Sequence, residues 1–332
     1  METQYEHRQV VEPLSFSYPP AAQLLPQFDA GRLVSDVIEL NSRQWNLQRN
    51  YTTTGPGRWA QFDWRALPLR SPTGSVERTD PGGAGLDDFG DTDWMDKAPY
   101  LAEVIRSVPA PLRSVRLLAL GPGAQSKVHF ETKIGLPWAN LRLHVPIITN
   151  PGATLMIDGE THQWQPGSFW FGDFSRWHQV TNAGEETRVH MIIDSFVTPE
   201  LLDLFPQSFH DRLNPDDVLF YRPGVPLADL TPYVRAFDVP VAFTDWEEAE
   251  GEFLRPQATV RATVELEDER LVLHVGGEPR FALNHIGDGE FRFAGWTEER
   301  TIQIRPDGVV LRTRQGTSVR ETTVAVEAPA TR

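Results

Sequence analysis

Three short polar pieces interrupt an otherwise strand-like stretch between Leu117 and Asp194. They are His129-Phe130-Glu131, Arg142-Leu143-His144, and His178 followed ten residues later by Arg188-Val189-His190. Side chains alternate faces along a strand with a period of two, so His129 shares a face with Glu131, Arg142 with His144, and Arg188 with His190. Two imidazoles and one carboxylate converging on a point, with positions left over, form the facial triad of a non-haem Fe(II) oxygenase. His129 and Glu131 stand one pleat apart, so both reach one metal. Arginines beside such a centre suit an anionic co-substrate. The competing use of Arg142 and Arg188 is an internal ion pair with an acid such as Asp194, since a buried charge needs a partner of some kind. A lone histidine in a strand is more often a hydrogen-bonded core residue; here five of the nine histidines fall within residues 129–190, and the set raises the odds.

The elements that must position these groups read as strands and turns. Residues 115–120 form a strand closed by Gly121-Pro122-Gly123, and residues 141–148 form another with Leu141, Leu143, Val145 and Ile147 on one face. Residues 154–158 end at Asp158-Gly159, a hairpin signal. Residues 168–171 follow the Pro166-Gly167 turn, and residues 187–193 set Val189, Met191 and Ile193 opposite Arg188, His190 and Ile192. Many short strands at regular spacing imply an antiparallel sandwich or barrel. The forty-nine residues from His129 to His178 suffice for several strands that return the chain to its starting neighbourhood.

Outside this core, residues 1–27 are proline-rich and read as an N-terminal arm. Residues 28–42 put Leu33, Val37, Ile38 and Leu40 at helical spacing. Residues 59–64 suggest a short strand, and residues 100–108 a short amphipathic helix. Residues 71–93, centred on Pro81-Gly82-Gly83-Ala84-Gly85, read as a long loop, either a mobile lid or a disordered surface loop. Trp138, Asn140, Trp170 and Trp177 are rim candidates for contacting substrate. The expected organisation is an arm at 1–27, a jelly-roll domain at 28–205, a proline-punctuated helical or loop connector at 206–249 and a small β accessory domain at 250–327. In that last part six strands are expected, at 258–266, 270–275, 280–283, 290–294, 301–304 and 309–313, in a meander similar to a lipocalin-like module. It shows no metal-type cluster, and His274 and His285 are expected to be structural.

The chain has 332 residues, 40% hydrophobic and 10% aromatic with ten tryptophans, enough for a real core. Its formal charge of −15 argues against a nucleic-acid partner and against an anionic membrane surface, though a basic pocket can sit inside an acidic shell. Cysteine is absent, so disulfides and thiolate metal sites are excluded and any metal must rest on His, Asp or Glu. The polar start lacks a signal-peptide pattern and no apolar run reaches membrane-spanning length, so a cytoplasmic location is expected.

Residues 98–197 resemble the catalytic core of the aspartyl/asparaginyl β-hydroxylase family, which includes bacterial free-proline hydroxylases. The resemblance runs through Leu118-Ala119-Leu120-Gly121-Pro122-Gly123, the His129-x-Glu131 pair and Arg142-Leu143-His144-Val145-Pro146-Ile147. It continues through Trp164-x-Pro166-Gly167, Asp173 near His178, Val180-x-Asn182, and Arg188-Val189-His190 leading to Ile193-Asp194. It implies a mainly β fold: a double-stranded β-helix (jelly-roll, cupin-like) with flanking helices, beside the second small antiparallel β-domain. It implies Fe(II), 2-oxoglutarate and O2 as cofactor and co-substrates, with His129, Glu131 and His178 on the metal. Arg188 would clamp the distal carboxylate of 2-oxoglutarate in a bidentate fork. Arg142 and His144 match positions that meet its other end, and His190 either supports the co-substrate or fills the barrel. The proline-hydroxylating relatives carry Asp where this chain has Glu131, and some animal relatives carry no carboxylate there. Glu is one methylene longer, so it either ligates or swings away. Its presence argues against halogenation, which needs that position free.

The function so implied is hydroxylation of an amino-acid residue, at an aspartyl or asparaginyl Cβ or a proline-type carbon, in a small molecule or peptide such as a natural-product precursor. Two alternatives stand beside it. One is a non-oxygenase metal-dependent cupin enzyme of the isomerase type, which would not need Arg188. The other is a non-catalytic binding protein that works through its C-terminal β-domain. Oligomeric state has no signature in the sequence.

Overall fold

A computed structural model describes residues 16–41, 45–52, 55–248 and 251–326. Residues 1–15 of the expected arm, Ser42 at the end of the expected first helix, and residues 250 and 327 at the edges of the expected accessory domain lie outside the described residues.

The first part of the chain runs β1 (Ala21–Gln27), α1 (Ala30–Asn41), β2 (Asn46–Leu47), β3 (Arg49–Thr52), β4 (Gly55–Trp59), β5 (Trp64–Pro72), β6 (Phe89–Asp91), α2 (Pro99–Arg106), β7 (Leu112–Leu120), β8 (Asn140–Ile148), β9 (Ala153–Ile157), β10 (Glu160–His162), β11 (Ser168–Gly172), β12 (His178–Asn182) and β13 (Arg188–Phe196). The large sheet has the order β1-β11-β8-β13-β7-β5-β2, with β6 on β5, and the small sheet has the order β10-β9-β12. This antiparallel interleaving is a double-stranded β-helix. Strand β1 lies within the stretch expected as an arm, and the strand expected at 59–64 is not formed: residues 60–63 are a bend that links the end of β4 at Trp59 to the start of β5 at Trp64. Tight turns hold the frame together. Gly167 adopts φ +80°, and a Cβ there would meet the Phe28 carbonyl oxygen at 2.3 Å, so the site accepts only glycine.

Alternation divides the chemistry between the faces of the large sheet. Val115, Leu117, Leu141, Leu143, Val145, Ile147, Val189, Met191 and Ile193 belong to the main core, together with Leu33, Val37 and Leu40 of α1 and Leu101, Val104 and Ile105 of α2. Ile38, counted above with the helix's apolar face, is 65% exposed. The two helices are locked by Asp36 of α1, whose Oδ2 accepts the Tyr100 and Leu101 amides at 2.8 and 2.9 Å and so caps α2. The opposite rows of β7, β8 and β13 carry the polar groups and face the small sheet.

Two short helices, α3 (Pro199–Leu202) and α4 (Gln207–His210), lead to the second part, an eight-stranded antiparallel sheet in simple sequence order. It comprises β14 (Arg235–Pro240), β15 (Thr259–Glu267), β16 (Arg270–Val275), β17 (Glu278–His285), β18 (Glu290–Phe293), β19 (Arg300–Arg305), β20 (Gly308–Gln315) and β21 (Ser318–Val324). A bridge from Phe237 to Val326 nearly closes it into a barrel. Its interior is filled by Phe237, Phe243, Trp246, Phe253, Phe281, Phe291 and Phe293 among others. Strand β14 falls where a connector without strands was expected, and β21 was not foreseen. The loop at 71–93 is well packed: Thr79 and Asp80 are buried, and Gly85 exchanges backbone hydrogen bonds with Ala294 and Ala282 of the barrel at 3.1 and 2.9 Å.

Candidate active site

The inner face of the large sheet is built by register. Asp194 of β13 stands opposite Arg142 of β8, Ile192 lies between His144 and Arg116, and His190 lies between Pro146 and Leu118. Arg116, Arg142, His144, Arg188, His190 and Asp194 are all buried. A row of buried charge and imidazole along the floor of a β-helix contributes little to folding by itself, and it points to a binding cavity.

His129 lies outside the named strands but pairs with His178 at the start of β12. The His129 amide donates to the His178 carbonyl at 3.0 Å, and the His178 amide donates back at 2.8 Å. The two rings then sit 4.2 Å apart, centroid to centroid. The Glu131 amide donates to the Phe174 carbonyl at 2.8 Å, which brings the carboxylate to the same spot. Donor atoms of His129, Glu131 and His178 all lie within 4.8 Å of one another, close enough for one ion to draw them together. Both imidazoles are oriented alike. Nδ1 of His129 is 2.8 Å from the Lys127 carbonyl and Nδ1 of His178 is 2.9 Å from the Arg176 carbonyl. In each ring Nδ1 faces a backbone carbonyl that can only accept, which turns Nε2 away from it as the ligating nitrogen a metal would use. Burial lowers the pKa of His178 to about 4 against the opposing pull of Glu131, so the ring is neutral at ordinary pH. Burial pushes the Glu131 carboxyl upward, but Arg142, His178 and His129 outweigh it and hold the group below the usual carboxylate range.

The two arginines named from sequence have different fates. Arg142 donates through Nε to Asp194 Oδ1 at 2.7 Å and through Nη1 to Glu131. Its charge is therefore matched inside the protein, and the ion pair with Asp194 is its main engagement. Arg188 has no acidic partner among the described residues. Its Nη2 donates to Nδ1 of His190 at 2.7 Å, and burial alone pushes the guanidinium down to about 9. His144 stacks on Phe174 at 5.0 Å, with the His190 ring edge at 5.8 Å, and neither of its ring nitrogens has a hydrogen-bond partner among the described residues. Burial and the neighbouring arginines Arg188 and Arg142 keep His144 neutral. An unmatched cation, a neutral imidazole whose nitrogens lack partners among the described residues and a three-donor set thus gather around the inner face of the large sheet.

Several contributors went unremarked in the sequence. Asp194 also accepts from Ser114 Oγ at 2.7 Å and Arg116 Nη2 at 3.1 Å, so it anchors two guanidiniums at once. Arg113 has no carboxylate partner among the described residues and donates to Asn140 Oδ1 at 2.7 Å and to the Gly82 carbonyl at 3.3 Å. The available signal was parity: Arg116 shares its strand face with Leu118 and Leu120, where a charge is out of place. Of the rim candidates, Trp177 meets Phe130 edge-on at 4.9 Å, Trp170 stacks on Trp164 at 5.0 Å, and Trp138 and Asn140 are buried. Contrary to expectation, the second sheet does gather a possible donor set, Glu265, Glu267 and His274, on its exposed surface.

The sequence model for aspartyl/asparaginyl beta-hydroxylase matches residues 30–198. The chain belongs to that family. The match takes in α1 through β13 and every candidate residue named above on the jelly-roll, and it leaves β14–β21 outside. Membership in the aspartyl/asparaginyl β-hydroxylase family supports a hydroxylase. Among solved structures the chain is similar to AviO1 from Streptomyces viridochromogenes Tue57, with 14% identity over 55% of this chain and 92% of that one and a TM-score of 0.36. It is similar to a Pseudomonas putida prolyl-4-hydroxylase, with 15% identity over 54% and 93% and a TM-score of 0.32. It is also similar to the viral collagen prolyl hydroxylase of Paramecium bursaria Chlorella virus-1, with 10% identity over 53% and 97% and a TM-score of 0.31. A search of curated proteins finds no match. No helix among the described residues is long and apolar enough to cross a membrane.

Proposed function

We propose that this chain is an Fe(II)- and 2-oxoglutarate-dependent hydroxylase acting on an amino-acid residue, at an aspartyl or asparaginyl Cβ or a proline-type carbon. The observation that carries the reading is Arg188. A buried guanidinium without a counter-charge is costly in an apo protein and is resolved when an anion arrives. A dicarboxylate keto acid offers one carboxylate to Arg188 and leaves its other end for the His144 side of the cavity.

The residues present fit ferrous iron. Two imidazoles and one ionised carboxylate form the set that suits Fe(II) with positions open. His129, His178 and Glu131 would hold it. Bound iron with 2-oxoglutarate and dioxygen supplies the oxidising power to turn C–H into C–OH, with succinate and carbon dioxide as co-products. The chain's own part is placement. Asp194 fixes Arg142, Arg142 restrains Glu131, His190 steers Arg188, and Phe174 with Trp164 keeps the His144 region dry. The cation excess left at Arg113, away from Arg188, favours a substrate that carries a carboxylate. A peptide or natural-product precursor is the preferred form, since the second sheet exceeds what a free amino acid needs.

The test is aerobic incubation with Fe(II), ascorbate and 2-oxoglutarate in the presence of an amino-acid and peptide panel, followed by mass spectrometry. A gain of one oxygen on a panel member, matched by succinate, supports the reading. Absence of succinate with every member, in a protein shown to bind iron, refutes it.

A further inference from the structure

The stretch from Glu131 to Asn140 links the proposed metal set to β8, and the second barrel grips it. Lys133 Nζ lies 2.8 Å from Glu299 Oε1, with both side chains buried. Glu299 is itself fixed, because Trp296 Nε1 donates to its other oxygen at 2.7 Å and its own amide donates to Thr297 Oγ1 at 3.1 Å. Farther along, the Thr297 hydroxyl donates to the Trp138 carbonyl at 2.6 Å, and the Gly316 amide donates to the Pro137 carbonyl at 2.8 Å. Lys133 adopts φ +61°, a left-handed conformation that side chains other than glycine rarely take. Its carbonyl accepts from Asn140 Nδ2 at 3.0 Å, so both ends of the stretch are tied across it.

Such a grip is more than adhesion. A buried ion pair adds little stability over an apolar contact of similar size, because its desolvation offsets its attraction. What it provides is direction, and it sits two residues from Glu131. We propose that the C-terminal barrel is a positioning element of the metal centre, acting on Glu131 through the Glu299–Lys133 pair and the Thr297–Trp138 contact. This rests on the assignment of His129, Glu131 and His178 as the metal set.

The test uses the full chain and Co(II), followed by its visible ligand-field absorption and by thermal melting. The variants are Glu299→Gln, Thr297→Val and Lys133→Met/Glu299→Gln. The double variant removes both charges and strands neither, so its folding should hold. Expected are a changed cobalt spectrum and roughly tenfold weaker Co(II) binding in Glu299→Gln, the scale of outer-contact changes at metal sites. The double variant should be no weaker than Glu299→Gln, because both changes break one contact. Folded Glu299→Gln and Thr297→Val proteins with wild-type cobalt spectra and affinities would overturn the proposal. If Glu299→Gln does not fold, the Thr297→Val spectrum decides alone. A wild-type chain that binds no Co(II) refutes the metal assignment and this inference with it, an outcome distinct from variants that match a competent wild type.

Discussion

Arg188 and His190 form a donor–acceptor pair at 2.7 Å, and no carboxylate balances the guanidinium among the described residues. Arg142, three pleats of β8 and β13 away, is held by Asp194 and Glu131. Similar side chains on one sheet face are therefore balanced differently: Arg142 has its counter-charges inside the protein, and Arg188 has none among the described residues.

Replacing Arg188 with Met should separate binding from stability. Loss of a charge-assisted pair weakens 2-oxoglutarate binding by about 2–3 kcal/mol, roughly 30–150-fold. The ligand-free protein should melt no lower than wild type, since an unmatched buried charge has been removed. Calorimetric titration and a melting curve check both halves. A large fall in melting temperature would mean that Arg188 is a structural residue.

Asp194→Asn should behave in the opposite way. It leaves Arg116 without a carboxylate among the described residues and Arg142 with Glu131 alone, and breaking a buried pair of this kind is worth about 3–5 kcal/mol of stability. Chemical denaturation should show a clear drop in midpoint, with or without metal.

Glu131→Ala distinguishes a three-donor site from a two-histidine site. Asp194 still balances Arg142 in this variant, so the fold should persist. Iron affinity should fall by about tenfold or more if the carboxylate ligates. Iron binding and succinate yield equal to wild type would show that Glu131 serves only Arg142.

The buried imidazoles set a pH dependence. The pKa of His178 is lowered to about 4, and His144 and His190 lie well below their usual value, all chiefly through burial. Below about pH 6.5 the unfolded chain takes up protons that these folded rings refuse, so stability should fall as pH drops from about 6.5 toward 4. Glu248, raised to about 7 by burial, titrates in the opposite sense, as do Asp173 and Asp217, whose carboxyls burial also raises, while His162, lowered by burial, joins the three rings. Denaturation at stepped pH in metal-free protein checks the slope. A flat profile across that window would place these rings in a wetter setting.

Much of this site could be read from spacing alone. Period-two alternation placed Arg142 with His144 and Arg188 with His190 on one face, and Val145, Met191 and Ile193 on the other, because one side of the sheet must meet the helices. Parity cannot tell which buried arginine finds an acid. Asp194 lies on the inner face with both candidates, and only strand register puts it opposite Arg142. The His129–His178 bridge was likewise beyond local patterns, since His129 lies in irregular backbone. Strands β14 and β21 escaped for compositional reasons. The first emerges from a proline-rich run, and the second, Ser318–Val324, is largely polar and half exposed. The packed 71–93 segment misled through its glycines, which allow close approach of neighbouring side chains as readily as they allow disorder. Gly82 and Gly83 have no room for a Cβ beside Phe89 and Tyr51.

The most direct test of the central claim is an anaerobic titration of the iron-loaded chain with 2-oxoglutarate, followed by visible absorption. A metal-to-ligand charge-transfer band that grows to saturation in wild type, is absent in His178→Ala and needs far more 2-oxoglutarate in Arg188→Met is the expected result. An iron-loaded wild-type chain that shows no band at any 2-oxoglutarate concentration would contradict it.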